Sequence, residues 1–161
     1  MWIGNLFISI GKAFGGTLPL DCPPPPEGER TSVSLAELYT VVRRSVGQGG
    51  EIYIGDNISY LPTLEDIELF LDYDETNHYK YIADIPGVRS YDCNKFAAHL
   101  YGQFSVPGWA DFAFGLIWTG KHAMNICVDQ NRDVWFVEPQ TDKRRSGLLG
   151  VEGTVHRFTL F

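Results

Sequence analysis

A change of hydrophobic period near Pro107-Gly108 constrains this chain more than any other feature. Before it, Cys93, Phe96, Ala97, Leu100, Tyr101 and Phe104 recur at i, i+3, i+4, i+7, i+8 and i+11, a complete apolar stripe of one helix. After it, residues 112–119, 122–129, 134–140 and 154–161 read as strands separated by turn residues. Helices first and antiparallel strands later predict an α+β fold. The length of 161 residues suits one domain with a real core, and 14% aromatic content with only 20% charge excludes a disordered chain.

Upstream, Ser34 and Glu37 form a capping box, followed by Leu35, Leu38, Val41 and Val42 on one face of a helix. Arg43 and Arg44 suit its negative end, and Gly47 is a natural stop. Residues 51–60 read as short strands around Gly55-Asp56-Asn57, and Thr63 caps a helix running to about Leu71. Four prolines, Pro23 to Pro26, predict a stiff polyproline II spacer. The expected division is an apolar arm with its spacer over 1–28 and a domain over 29–161. Within the arm, Trp2, Ile3, Leu6, Phe7, Ile10 and Phe14 fall at helical spacings ahead of Gly15-Gly16. Residues 1–14 are thus expected to pack on their own domain or on another subunit, as in a homo-oligomer. A single lysine, Lys12, offers little attraction to anionic lipid.

Charge narrows the function classes. The balance is 13 positive against 20 negative residues, or −7, and the only basic cluster, Lys143-Arg144-Arg145, reads as a solvated loop. No nucleic acid partner is expected, because phosphate contacts need clustered cations. No apolar run is long enough for a transmembrane span. The N-terminus lacks a basic region ahead of its apolar part and makes a poor signal peptide, so the compartment stays open. Three cysteines, Cys22, Cys93 and Cys127, cannot all pair, which rules out a disulfide framework.

Chemistry concentrates at Cys93. Asp92 is the expected N-cap, which places Cys93 in the first helical turn, where unpaired amides and the helix dipole favour a thiolate. Cys127 lies inside an apolar strand and Cys22 lacks a catalytic partner in its local sequence. Downstream, His122 opens a strand and shares a face with Met124, Ile126 and Val128. A following loop of odd length would put Glu138 on the His122 face, close enough to orient the imidazole. A two-residue turn would instead pair Glu138 with Asn125. Cysteine on a helix start, histidine on a strand and an orienting acid on the next strand is the order of a papain-like site. In that reading Cys93 is the nucleophile, His122 the general base and Glu138 the orienting acid. Tyr91 and Asn125 are oxyanion candidates beside the Cys93 amide. His99 is read as a surface residue, and no role is assigned to His78 or His156.

The segments Tyr91-Asp-Cys-Asn-Lys-Phe-Ala97, Gly120-Lys-His-Ala-Met-Asn125 and Val134-Trp-Phe-Val-Glu-Pro-Gln140 resemble the C-terminal domain of the Marasmius oreades agglutinin. That domain is a papain-like cysteine protease joined to a β-trefoil lectin, and the resemblance spans roughly residues 31–161. It implies a papain-like α+β fold and peptide hydrolysis through a thioester, with a protein or peptide as substrate. It also implies calcium activation and a dimer. The chain has no threefold repeat, so the sugar-binding trefoil is not implied. The Asp-Cys-x-x-Phe pattern is also similar to NlpC/P60 peptidoglycan peptidases, the runner-up among enzymes. A third reading is a non-catalytic subunit of a larger assembly such as a virion, outside the cell. For calcium the physical motive is the crowding of carboxylates around 65–75 and at Asp84 and Asp92, with no metal ligands assigned. The stretch Asp72 to Asn77 lacks the glycine and closing glutamate of an EF-hand.

Overall fold

The computed structural model describes residues 22–149 and 155–161, and the expectations for residues 1–14 lie outside them. Strand β1 (Ser32–Ser34) leads into helix α1 (Leu35–Val46), and the short strands β2 (Glu51–Tyr53) and β3 (Ile58–Tyr60) follow. Helix α2 (Leu64–Tyr73), a 3₁₀ turn (Thr76–His78) and helix α3 (Cys93–Phe104) precede the sheet strands. These are β4 (Phe114–Thr119), β5 (Ala123–Val128), β6 (Val134–Glu138), β7 (Lys143–Ser146) and β8 (His156–Leu160). The six-stranded sheet runs β2-β8-β4-β5-β6-β7, antiparallel except for the β2–β8 pair, and β1 with β3 forms a separate two-stranded ribbon.

Local chemistry sets the helices. At α1 the Glu37 amide donates to Ser34 Oγ and the Ser34 amide donates back to Glu37 Oε2 at 2.9 Å. The same reciprocal box joins Thr63 and Asp66 at α2, which runs to Tyr73, two residues beyond the expected end. Such caps satisfy amides that have no partner within the helix. Asp92 occupies the N-cap position of α3, but its side chain makes no capping bond. Its carboxylate instead lies 3.6 Å from Lys95 Nζ.

The sheet is covered on both faces, a three-layer arrangement. Leu38 and Val42 of α1 pack with Ile117, Ile126 and Phe136 on one side. Ile67 and Phe70 of α2 pack with Leu100 and Phe104 of α3, Cys127 and Val137 on the other. Strand β5 is consequently buried along its whole length. The described part of the proline segment lies against this second cluster, where Trp109 Nε1 donates to Pro23 O at 3.0 Å.

Two local expectations are corrected. Lys143-Arg144-Arg145 is not a free loop but the edge strand β7, paired with β6. Arg144 meets the Glu68 carboxylate, and the Arg145 guanidinium sits over the Phe136 ring. His99 is not a surface residue but 3% exposed, held between Gln103 and Tyr91. Tyr79 and Tyr91, at the two ends of the 79–91 loop, cover that helical face, and no periodicity reports such a covering.

The β5–β6 connection spans residues 129–133, because Val128 pairs with Val134. Asp129, 1% exposed, builds it by accepting from the Asn131 and Asp133 amides and from Trp135 Nε1. Asp129→Ala is expected to cost about 2 kcal/mol, since buried donors lose a charged acceptor. Urea unfolding measures it, and a loss under about 0.5 kcal/mol would show that the strands alone hold the turn.

Candidate functional site

Odd loop length decides the register left open by the sequence. Asn125 pairs with Val137, and continuing that ladder sets Glu138 diagonal to His122. His122 Nε2 lies 2.6 Å from Glu138 Oε2. Burial alone would raise the Glu138 pKa, but the His122 hydrogen bond and charge, with Gln140, hold it below the usual carboxylate value. An ionised carboxylate can only accept, so Nε2 carries the proton of this hydrogen bond. Both side chains are 31% exposed, so the pair faces solvent from a half-sheltered position.

The backbone fixes His122 from the other side. Its amide donates to Thr119 Oγ1 at 2.9 Å, and its carbonyl accepts from the Thr119 amide and hydroxyl. His122 therefore belongs to the tight β4–β5 turn, one residue before β5 begins. At the far end of the arrangement, Gln140 Nε2 donates to Glu138 Oε1 at 3.2 Å.

Helix α3 delivers Cys93 to the same end of the sheet. Trp118 Nε1 donates to Asn94 Oδ1 at 2.6 Å, and Trp118 pairs with Ala123 next to His122. Cys93 is half-buried and has no disulfide. Among the described residues no hydrogen bond joins it to His122. The predicted residues thus fall into two sets. Cys93, His122 and Glu138 share one end of the domain, and Asn94, Trp118 and Gln140 join them there without having been assigned a role from sequence. Trp118 offered only the signal of an aromatic at a strand end.

The two oxyanion candidates are engaged elsewhere. Asn125 is fully buried, and its Nδ2 donates to Ala97 O of α3 and Gly115 O of β4, at 3.0 and 3.2 Å. It fastens helix to sheet beneath the site. The Tyr91 hydroxyl is bonded to His99 Nδ1, and burial pushes its pKa upward. Burial likewise raises the Cys127 thiol to about 12 and the Cys22 thiol to about 11. His156 is buried against Gly49 O and Thr159 Oγ1. Among the described residues no three His, Cys, Asp or Glu side chains gather as a metal-holding group.

No family model matches the chain, and no curated protein sequence does. Solved structures match its fold. One is a complex described as PSL1a with E64, at TM-score 0.65 and 21% identity, covering 81% of this chain and 50% of that one. Another is a Polyporus squamosus lectin bound to the human-type influenza-binding epitope Neu5Acα2-6Galβ1-4GlcNAc, at TM-score 0.63 and 21% identity, covering 81% of this chain. The chain spans about half the length of these solved chains. These likenesses correct the expected function. At 21% identity they carry the fold alone, and the expected hydrolase activity with its protein or peptide substrate is withdrawn. Among the described residues no helix is long and apolar enough to cross a membrane.

Proposed function

We propose that this chain is a non-catalytic, lectin-like binding module whose ligand is a carbohydrate held at the head of α3. The observation that carries this reading is the half-exposed row of planar polar side chains beside an aromatic face. Asn94 and Trp118 are linked at one end, and His122, Glu138 and Gln140 at the other. Behind them Trp118 stacks on Phe158, with ring centroids 5.0 Å apart and planes 29° apart. Carbohydrates present hydroxyls on one side and C–H groups on another, which suits amide, carboxylate and imidazole groups next to an indole. The architecture is read as papain-like, with the cysteine helix packed on a sheet carrying the histidine and the acid. Relation to the agglutinin domain belongs to the same reading. Absence of a threefold repeat removes the trefoil mode of sugar binding but leaves this surface available. The glycan-bound and lectin titles of the structural neighbours support the ligand class.

The test is titration with Neu5Acα2-6Galβ1-4GlcNAc and a panel of other glycans, with E64 as a second probe. Trp118→Ala and Glu138→Gln are expected to weaken glycan binding at least about tenfold, equivalent to about 1.4 kcal/mol. Leu148→Ala, on an exposed residue away from the cluster, is expected to leave it unchanged. Unaltered affinity in both site variants would remove the site. Absence of any glycan binding, together with E64 capture or casein cleavage lost in Cys93→Ala, would remove the carbohydrate reading altogether.

A further inference from the structure

The 3₁₀ turn and the β6–β7 turn meet through one side-chain pair. Asn77 Nδ2 donates to Asp142 Oδ2, across 65 residues of sequence. The other oxygen of each group, Asn77 Oδ1 and Asp142 Oδ1, is buried and has no hydrogen-bond partner. Two acceptors lie at the ends of two planar groups that are already bonded once. Neither can donate to the other while Asp142 is ionised. An orphaned buried acceptor is costly, and one of a charged group more so.

We propose that Asn77 and Asp142 form a proton-held clasp, an acid–amide pair that closes with two hydrogen bonds when Asp142 is protonated and keeps one when it is not. In the closed form Asp142 Oδ1–H donates to Asn77 Oδ1 while Asn77 Nδ2–H donates to Asp142 Oδ2. The proton comes from solvent and returns to it. Asp142 faces Asp74, Asp72 and His78 from the opposite side of the contact, and Glu75 faces Asp74. The two neighbouring aspartates oppose a second negative charge, and His78 offsets part of that. Asp74 itself is 4% exposed, its two oxygens accepting from the Thr76 amide and hydroxyl. Burial, with Asp74 adding to it, raises the Asp142 pKa to about 6, and burial raises Asp74 to about 6 as well.

The sign of the pH dependence follows. An acid whose folded pKa is raised binds its proton more tightly in the folded state. The clasp opens as pH rises through about 6, and the stability it contributes is fully present only below the ordinary carboxyl value of about 4. What it secures is the turn after β6, where the Thr141 and Asp142 amides both donate to the Glu138 carbonyl. Opening therefore loosens the residues that follow Glu138 and carry Gln140.

Amide exchange of Thr141 and residue 142, corrected for intrinsic rates, tests this alongside a carbon NMR titration of Asp142. In the wild type, protection is expected to be at least threefold greater at pH 5 than at pH 7.5, and the carboxyl is expected to titrate near pH 6. Asp142→Asn keeps an amide in place of the acid and is expected to abolish the pH dependence. Asn77→Ala is expected to give low protection at both pH values. An Asp142 carboxyl that titrates near pH 4, or parallel pH profiles in the wild type and Asp142→Asn, would overturn the clasp. A transition that disappears in His78→Gln would overturn it too, by assigning the proton to the histidine.

Discussion

Replacing Gly115 with valine is expected to cost about 3–4 kcal/mol and to separate β8 from β4. A Cβ at Gly115 would stand 2.1 Å from the Leu160 carbonyl oxygen and 3.1 Å from the Phe161 ring. The first contact is backbone, so relief requires the strand to move and not a side chain to turn. Overpacking of that kind costs ~1–3 kcal/mol, and the β4–β8 hydrogen bonds near Leu116 and Leu160 weaken with it. Against a stability of ~5–15 kcal/mol for a domain, the change consumes a large share. Thermal unfolding is expected to fall by about 10 °C. Gly120→Ala is the matched control, since a Cβ there meets only Arg157 Nε, at 3.7 Å. Equal melting temperatures for Gly115→Val and the wild type would mean that β8 is not seated against β4 as described.

Asn125→Ala is expected to cost about 3 kcal/mol, combining a cavity in a fully buried site with two lost hydrogen bonds. Its Nδ2 ties α3 to β4, so the loss also frees the helix that presents Cys93 and Asn94. Urea unfolding and glycan titration of the same variant are expected to change together. A stable Asn125→Ala variant with normal unfolding would show that apolar packing alone docks α3.

Much of this architecture was legible from sequence because it rests on local chemistry. The capping box at Ser34, the cap at Thr63 and the apolar stripe from Cys93 to Phe104 each need only neighbouring residues, and each formed where the spacing put it. Strands β4, β5, β6 and β8 lie within the expected stretches for the same reason. The hairpin face was readable only conditionally. His122 and Glu138 meet because the connection is odd in length, and alternation by itself leaves that parity undecided.

Function was less legible than fold. Cysteine, histidine and acid at suggestive spacings predict a peptidase, a reading that the likenesses in fold do not carry. Residue types at the right spacing describe a surface on which more than one kind of chemistry is feasible, and spacing alone does not choose between hydrolysis and binding.

Over the described residues the sequence by itself determined an α+β arrangement with three helices and a run of antiparallel strands, because helix caps, apolar stripes and alternation act over a few residues. The tertiary structure decided everything that depends on distant partners. It covered the second face of the sheet, turned Lys143–Ser146 into an edge strand, buried His99 under a loop and took Asn125 out of the site to fasten α3. It also brought Asn77 against Asp142, leaving the second oxygen of each side chain buried without a hydrogen-bond partner. Burial and unpaired polar atoms arise when remote segments pack, and no local pattern in a chain encodes which segments those are.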